Sequence, residues 1–137
     1  MMKLIKTLLI IGFIAAFSVL YSTHNNFYQG VRAQESFRYA KKMAAAISSY
    51  YAIHTAYPAN VSELVLDKKN GKYVGKTTLN SQNGVIKIQL AGETSNEGVL
   101  IFSPKVTYDS EISYTCRPLN VPSKYIPEEC PEQGSTQ

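Results

Sequence analysis

The pattern of hydrophobic and polar residues divides the start of the chain into two helical segments of different character. Residues 7–21 carry no charged side chain, and Leu4 and Ile5 extend this apolar stretch to about eighteen residues. From Phe27 to about Tyr51 apolar residues recur every three or four positions, which is the spacing of one helix face. No proline occurs before Pro58, so the two segments together predict one continuous helix of about fifty residues, ~75 Å long.

The apolar segment at residues 1–26 predicts a membrane anchor. Lys3 and Lys6 precede the apolar stretch, which favours a cytoplasmic N-terminus and a domain from about Gln34 outward on the far side of the membrane. A cleaved secretory signal is the rival interpretation, but residues 20–22 fit a cleavage site poorly and residues 31–33 lie too far downstream. We therefore expect residues 1–26 to remain attached. The side chains expected to face lipid are the large apolar ones, Leu8, Ile11, Phe13, Phe17 and Leu20.

The second helical segment is apolar on one side only, which predicts a helix that lies on a sheet. The residues expected to face that sheet form a single stripe along the helix: Phe37, Ala40, Ala44, Ile47 and Tyr51. A basic cluster occupies other positions of the same segment: Arg32, Arg38, Lys41 and Lys42. We interpret this cluster as a solvated surface, with anionic lipid headgroups or acidic partners as the alternative.

The residues after the Tyr57-Pro58 turn read as short strands. Four strand-like runs occupy residues 72–79, 85–90, 98–102 and 112–116, with turn residues at 68–71, 83–84, 92–96 and 108–110 between them. The sequence therefore predicts an α+β domain at residues 27–130, in which the long N-terminal helix packs on a four-stranded antiparallel sheet. Three prolines within residues 117–129 predict a loop that does not pair as regular sheet. Residues 131–137 form a polar tail.

Composition and charge narrow the possible functions. The chain has only two cysteines and two histidines among 137 residues, so a multi-cysteine zinc module is excluded and little remains for catalysis. We expect no enzyme activity, no cofactor, no metal and no small-molecule substrate. Residues 1–54 hold six basic side chains and one acidic, whereas residues 55–137 hold eight basic and nine acidic. That count supplies no excess of positive charge on the folded domain, so a nucleic-acid partner is not expected.

Cys116 and Cys130 are the candidate disulfide. Export to an oxidising compartment favours a bridge, and the alternatives are two free thiols or a metal-binding pair. Because no further cysteine exists and neither histidine is near in sequence, we expect a bridge that closes a loop of fifteen residues. In the chain-entropy description such a loop stabilises the folded state by about 3 kcal/mol.

The order of these elements resembles a type IV pilin of Gram-negative bacteria. The run Ser49-Tyr50-Tyr51 followed by Ala56-Tyr57-Pro58 is similar to the end of a pilin helix and the loop before its sheet. The segment from Ile112 to Cys130 is similar to the family's cysteine-bounded C-terminal region, and the resemblance covers about residues 28–130. The N-terminus differs from the family's Gly-Phe-x-x-x-Glu processing motif. Its only Gly-Phe pair is Gly12-Phe13, and Phe17 stands where the glutamate would be.

The resemblance implies a structural subunit of a pilus or related filament that serves adhesion, motility or uptake. Its implied partners are other pilin subunits, the pilus assembly machinery and the inner membrane, with the domain in the periplasm or in a cell-surface filament. The missing glutamate leaves an alternative hypothesis, a membrane-anchored pilin-like protein that does not polymerise but modulates or mimics pilins at the assembly machinery. An anchor that stays attached to residues 27–130 fits this alternative.

Overall fold

The computed structural model describes residues 1–66, 73–90, 98–108 and 111–130, without the side chains of residues 25 and 26. Helix α1 (Met2–His54) is followed by a 3₁₀ turn, four strands and a second 3₁₀ turn. The bounds of these later elements are Val61–Glu63, β1 (Thr77–Leu79), β2 (Ile86–Gln89), β3 (Val99–Val106), β4 (Ile112–Leu119) and Ser123–Tyr125. The predicted α+β order is confirmed. The predicted turns at 68–71 and 92–96, residues 109–110 of the predicted turn at 108–110 and the tail at 131–137 lie outside the described residues.

Helix α1 is a single element of 53 residues, about 80 Å long, as the two adjoining helical patterns predicted. It ends at Thr55, whose backbone turns into the left-handed region (φ 55°) and whose N–H donates to the Tyr51 carbonyl at 2.8 Å. The buried Pro58 prevents the helix from continuing. The Glu63 carboxylate then fastens the chain reversal, because it accepts hydrogen bonds from the Ala59 N–H and the Tyr50 hydroxyl, each at 3.1 Å.

The second half of α1 packs on the sheet through a buried stripe that is wider than the sequence predicted. Phe37, Ala40, Ala44 and Ile47 are buried, and so are Ala33, Ser36 and Met43. The sheet contributes Ile86, Ile88, Leu100 and Phe102 to the same core. The rings of Phe37 and Phe102 lie with their centroids 5.6 Å apart. Because four of the buried helix positions are Ala or Ser, the helix backbone approaches its neighbours closely along this stripe.

Tyr51 is not part of this core, in contrast to its predicted place on the stripe. Its side chain is half-buried, and its ring lies 5.0 Å from the ring of Tyr57. The reason is the chain reversal after α1, which brings Tyr57 against Gly84 and so places the Tyr57 ring beside the last turn of the helix. The final turn of α1 therefore contacts the reversal that follows it.

The sheet is a meander with strand order β1-β2-β3-β4, and every neighbouring pair is antiparallel. Its inward positions line up in rows across three strands, such as Ile86, Phe102 and Cys116. In β2 the burial alternates strictly, with Ile86 and Ile88 buried and Lys87 and Gln89 exposed. The apolar run at 98–102 becomes the inner strand β3, which also extends to Val106.

Two strand predictions require correction. Strand β4 continues past Cys116 to Leu119, although residues 117–129 were expected to form only a loop. Pro118 pairs with Leu100, which is possible because β4 is an edge strand and only one side of its backbone needs hydrogen-bond partners. Strand β1 is shorter than the predicted run at 72–79, because its partner β2 has only four residues.

The predicted disulfide is confirmed. Cys116 on β4 is bonded to Cys130, and the two Cα atoms are 5.0 Å apart. Cys130 is fully buried in the core, so the bridge ties the edge strand to the end of the domain. Within the closed loop, the turn Ser123–Tyr125 contacts α1. The disulfide-closed loop therefore also packs against the helix.

We predict that Ile47→Ala lowers the free energy of unfolding by about 2–4 kcal/mol, because a fully buried side chain is truncated and leaves a cavity. The matched control is Ile53→Ala, since Ile53 lies on the same helix with 78% of its surface exposed. Urea unfolding of the full chain in a non-ionic detergent, followed by circular dichroism, measures both variants. Equal effects of the two substitutions would contradict the packing described for Ile47.

Candidate functional site

The first half of α1 is an exposed apolar surface that no other described part of the chain covers. The predicted lipid-facing residues Leu8, Ile11, Phe13, Phe17 and Leu20 are 58–74% exposed. An eighteen-residue window of the helix has a mean hydropathy of 2.2 with none of its side chains buried. By length and composition this helix is able to cross a membrane. Its second half, in contrast, belongs to the core of the domain.

The two ends of this apolar surface differ in chemistry. Lys3 and Lys6 lie at the N-terminal end, and Glu35 is the first acidic residue of the chain. At the other end, the rings of His24, Tyr28 and Tyr73 lie where α1 enters the domain, and we call this group the aromatic junction. The ring of Tyr28 lies 4.5 Å from that of His24 and 5.6 Å from that of Tyr73, while the Glu35 carboxylate accepts a hydrogen bond from the Tyr73 N–H at 3.1 Å.

This aromatic junction was not predicted from the sequence. Tyr28 was assigned to the helix without a role, and Tyr73 was assigned to a strand. The available signal was the pair Tyr21 and Tyr28 just beyond an apolar span, because tyrosines are enriched at the membrane–water interface. The long-range partner Tyr73 had no such signal, since its approach to α1 depends on the fold of the intervening chain.

Two buried polar atoms near this junction, the Arg32 Nε and the Ser36 Oγ, have no hydrogen-bond partner within the described residues. They lie one helical turn apart and therefore on the same face of α1. The Ser36 side chain is fully buried. The small side chain at this position fits the close approach of the helix to the domain, while Arg32 keeps part of its surface exposed.

A groove of about 380 Å³ separates the second half of α1 from the edge strand β4. Phe37, Phe102 and Cys116 contribute apolar surface to it, and Lys41 and Glu129 contribute opposite charges. The inward side chains of β4 are only half-buried, so the helix covers this strand incompletely. At one end, the Ser48 hydroxyl lies 3.1 Å from the Ile112 carbonyl and joins α1 to the strand.

Two tyrosines, Tyr57 and Tyr114, connect the chain reversal after α1 and strand β4 to the turn before β2. Gly84 adopts a left-handed conformation (φ 70°) in the turn before β2, and the Tyr57 ring occupies the space where a side chain at Gly84 would lie. The Tyr114 hydroxyl donates a hydrogen bond to the Gly84 carbonyl at 3.0 Å. Burial, together with the neighbouring Tyr57, raises the pKa of Tyr114 well above its ordinary value. The neutral, hydrogen-bonding form of Tyr114 is thereby favoured.

The two histidines of the chain do not lie together. His24 and His54 lie far apart on α1, and each rests against a tyrosine ring, His24 on Tyr28 and His54 on Tyr50. Among the residues that the structure describes, no group of three or more His, Cys, Asp and Glu is placed to hold a metal ion. The surfaces that remain as functional candidates are the apolar half of α1, the groove and the outer side of the sheet.

A comparison with known protein families matches residues 32–131 to the pilin family, described as a bacterial filament protein. This match spans most of the chain and includes the helix stripe, the sheet and both cysteines. The chain therefore belongs to the pilin family, which is a structural and non-enzymatic family. No curated protein matches the chain. The resemblance inferred from the residues is confirmed, and the exposed apolar helix is the feature that remains to be explained.

We predict that Gly84→Ala destabilises the domain by about 1–2 kcal/mol or more, because a Cβ is disfavoured at this backbone conformation and would overlap the Tyr57 ring. Gly30→Ala is the matched control. Gly30 lies inside α1, and an added Cβ would meet only the Tyr125 ring at an ordinary 4.0 Å. This second change is expected to leave stability unchanged or raise it by about 0.4–1 kcal/mol. Thermal unfolding of the full chain, followed by circular dichroism, compares the two variants. A Gly84→Ala variant with unchanged stability would contradict the packing of the Tyr57 ring against Gly84.

Proposed function

We propose that this protein is a structural subunit of a type IV pilus or a related filament, held in the inner membrane before assembly. The observation that carries the proposal is the division of α1. Its second half is buried against its own sheet, whereas its first half exposes large apolar side chains along its whole length. An apolar surface of this size needs lipid or other helices around it. A membrane supplies the first, and the core of a filament supplies the second.

The division of the chain into three parts follows from this proposal. Residues 1–26 are the anchor, residues 27–130 the pilin-like globular domain, and residues 131–137 a polar tail. With Lys3 and Lys6 on the cytoplasmic side, the domain lies in the periplasm. The lipid-facing set is Leu8, Ile11, Phe13, Phe17 and Leu20, and the aromatic junction at Tyr28 lies about 10 Å above Tyr21 along the helix.

The partners in this proposal are other pilin subunits and the machinery that assembles them. A neighbouring subunit's apolar half-helix offers the same chemistry as a lipid tail, so the surface that anchors the subunit also packs into a filament. The globular domain then forms the outside of the filament, with the disulfide-closed loop at its surface. Adhesion, motility and uptake are the activities that such a filament serves.

A second candidate function is a membrane-anchored pilin-like protein that does not polymerise. The observation that favours it is the absence of any acidic side chain from residues 1–34. In the resembled family a glutamate near the start of the apolar helix pairs with the N-terminal amine of a neighbour. Phe17 stands at the corresponding distance from Gly12-Phe13 here, and a cut after Gly12 would leave an apolar segment of only about ten residues, too short to span a membrane.

Shearing and fractionation distinguish these two functions. We expect the protein in sheared filaments from the native cell envelope if it is a subunit, and in washed membranes alone if it is a non-polymerising partner. Mass spectrometry of the N-terminus then identifies the processed form, because an intact start, a cut after Gly12 and a cut after Ala33 differ in mass. Recovery from neither filaments nor membranes would contradict both functions.

The anchor itself is tested by a charge in its apolar surface. We predict that Phe13→Asp shifts the protein from the membrane fraction toward the soluble fraction, because a carboxylate near the centre of a span costs about 2.5–3.5 kcal/mol. Tyr108→Asp is the matched control, since Tyr108 is fully exposed on the β3–β4 turn. If the two variants partition identically, the apolar half of α1 is not the membrane anchor.

A further inference from the structure

Strand β4 has a strand partner on one side of its backbone, and its other side is the edge of the sheet. Pro104 and Pro118 cannot donate a main-chain hydrogen bond. Both stand in the alternate set of β3–β4 pairs that also contains Cys116, so this set is the one without ladder bonds between the two strands. The ladder bonds run through the other set, which contains Thr115. The main-chain groups of the first set therefore point away from β3.

The residues of β4 that present main-chain groups at this edge are Ile112, Tyr114 and Cys116. The Ser48 hydroxyl lies 3.1 Å from the Ile112 carbonyl, as expected if this set faces the edge. The N–H and C=O groups of Tyr114 and Cys116 have no hydrogen-bond partner among the residues that the structure describes. Two donors and two acceptors, at the spacing of a strand, are thus left for a molecule outside the domain.

The groove between α1 and β4 lies directly beside these groups. The inward side chains of Tyr114 and Cys116 form one wall, and Ala44 and Ala45 contribute to the helix wall. Small side chains on the helix leave a volume of about 380 Å³ between the walls. A strand added beside β4 continues its inward face, so alternate side chains of that strand would enter the groove. The edge therefore combines an unused ladder with space for side chains.

Helix α1 and strand β4 run in opposite directions. Phe37, early in the packed half of the helix, contacts Phe102, which pairs with Cys116. Ser48, later in the helix, reaches Ile112 at the start of β4. A second copy that paired its own β4 antiparallel to this one would be related by a two-fold axis normal to the sheet, and its α1 would point the opposite way. Two subunits anchored in one membrane cannot pair in this manner, so the occupant of the edge is a different segment.

Opposite charges mark the disulfide end of the groove. Lys41 lies one helical turn after Phe37, and its ammonium group lies 5.6 Å from the centroid of the Phe37 ring. Glu129 lines the same end and precedes Cys130, whose disulfide holds this part of the chain beside β4. Lys41 and Glu129 are both exposed, and neither makes an ion pair within the described residues. Each can therefore face an opposite charge on a bound segment.

We propose that the edge of β4 and the groove bind an extended peptide segment of a partner protein, which adds a fifth strand to the sheet. The segment pairs with Tyr114 and Cys116 through its main chain and places alternate side chains in the groove. Apolar side chains fit the middle of the groove, and an acidic and a basic side chain fit Lys41 and Glu129. A bound helix would not use the four main-chain groups. This inference goes beyond the proposed function, and only the exclusion of a β4-to-β4 dimer rests on the membrane anchor.

The test adds a synthetic strand to the full chain in a non-ionic detergent. The probe is the acetylated and amidated peptide Lys-Thr-Glu-Thr-Val-Thr-Val, whose lysine, glutamate and valines face the groove when it pairs antiparallel to β4. Labelling cysteine alone with ¹⁵N gives two amide signals. The Cys116 N–H is unpaired, whereas the Cys130 N–H already donates to the Pro127 carbonyl at 2.8 Å. We expect the Cys116 signal to move downfield and to exchange more slowly with solvent, with a dissociation constant of about 0.1–1 mM.

Matched controls separate main-chain pairing from simple filling of the groove. The same peptide, N-methylated at its glutamate and its first valine, keeps every side chain but loses two donors, and it should leave the Cys116 signal unchanged. Ala45→Trp fills the groove and should abolish binding of the unmodified peptide. Ile53→Trp alters an exposed position of the same helix outside the groove and should bind as the parent does. Circular dichroism checks that both variants are folded.

Reversal of a charge tests the disulfide end of the groove. Lys41→Glu should weaken binding of the probe about 2–5-fold, and a peptide with lysine in place of its glutamate should recover the loss. Equal binding of the N-methylated peptide would overturn the added strand, and equal losses in Ala45→Trp and Ile53→Trp would overturn the groove as its site. A Cys116 signal that stays unchanged at saturating peptide would overturn the whole proposal. The membrane partition of Phe13→Asp is measured without peptide, so failure of the anchor is recognised separately.

Discussion

Everything in this structure depends on the contact between one helix and a sheet that is shorter than the helix. The sheet meets α1 along residues 33–47 and leaves the preceding half without cover. Ile86, Ile88, Leu100 and Phe102 are the inward side chains of the sheet at this contact, and each is nearly or fully buried. The two halves of one helix therefore need different surroundings. The second half is packed in the protein core, and the first half needs an apolar medium supplied from outside.

The sequence predicted this architecture because each environment leaves its own periodic pattern. A helix that is apolar on all sides and a helix that is apolar on one side have different sequence patterns. The change between the two patterns after Tyr21 therefore predicted the two halves of α1. Strand β2 lies within the predicted run at 85–90, because its apolar and polar residues alternate strictly. The disulfide was inferred by elimination, because two cysteines in an exported domain have few other uses.

The predictions failed where a residue's environment depends on distant parts of the chain. Tyr51 had the correct spacing for the stripe, but Tyr57 and Gly84 meet beside it and change what it contacts. Pro118 looked like a strand breaker, and only the position of β4 at the sheet edge makes it acceptable. Counting charges did not reveal that Lys87 and Arg117 lie in one row of the sheet, since strand register decides which side chains are neighbours. Composition reports how many charges a domain has, and the fold decides where they meet.

Because α1 is one unbroken helix, a tilt of its first half also displaces its second half. Ile47, near the far end of the packed stripe, lies about 39 Å from Tyr21 along the axis of the helix. In the proposed membrane anchor, an ordinary tilt of about 20° would displace this point sideways by about 13 Å. Because the sheet is packed directly on the helix, the whole domain moves with it. A small change in the tilt of the anchor among lipids or neighbouring helices would thereby displace the domain by several times the length of a side-chain contact.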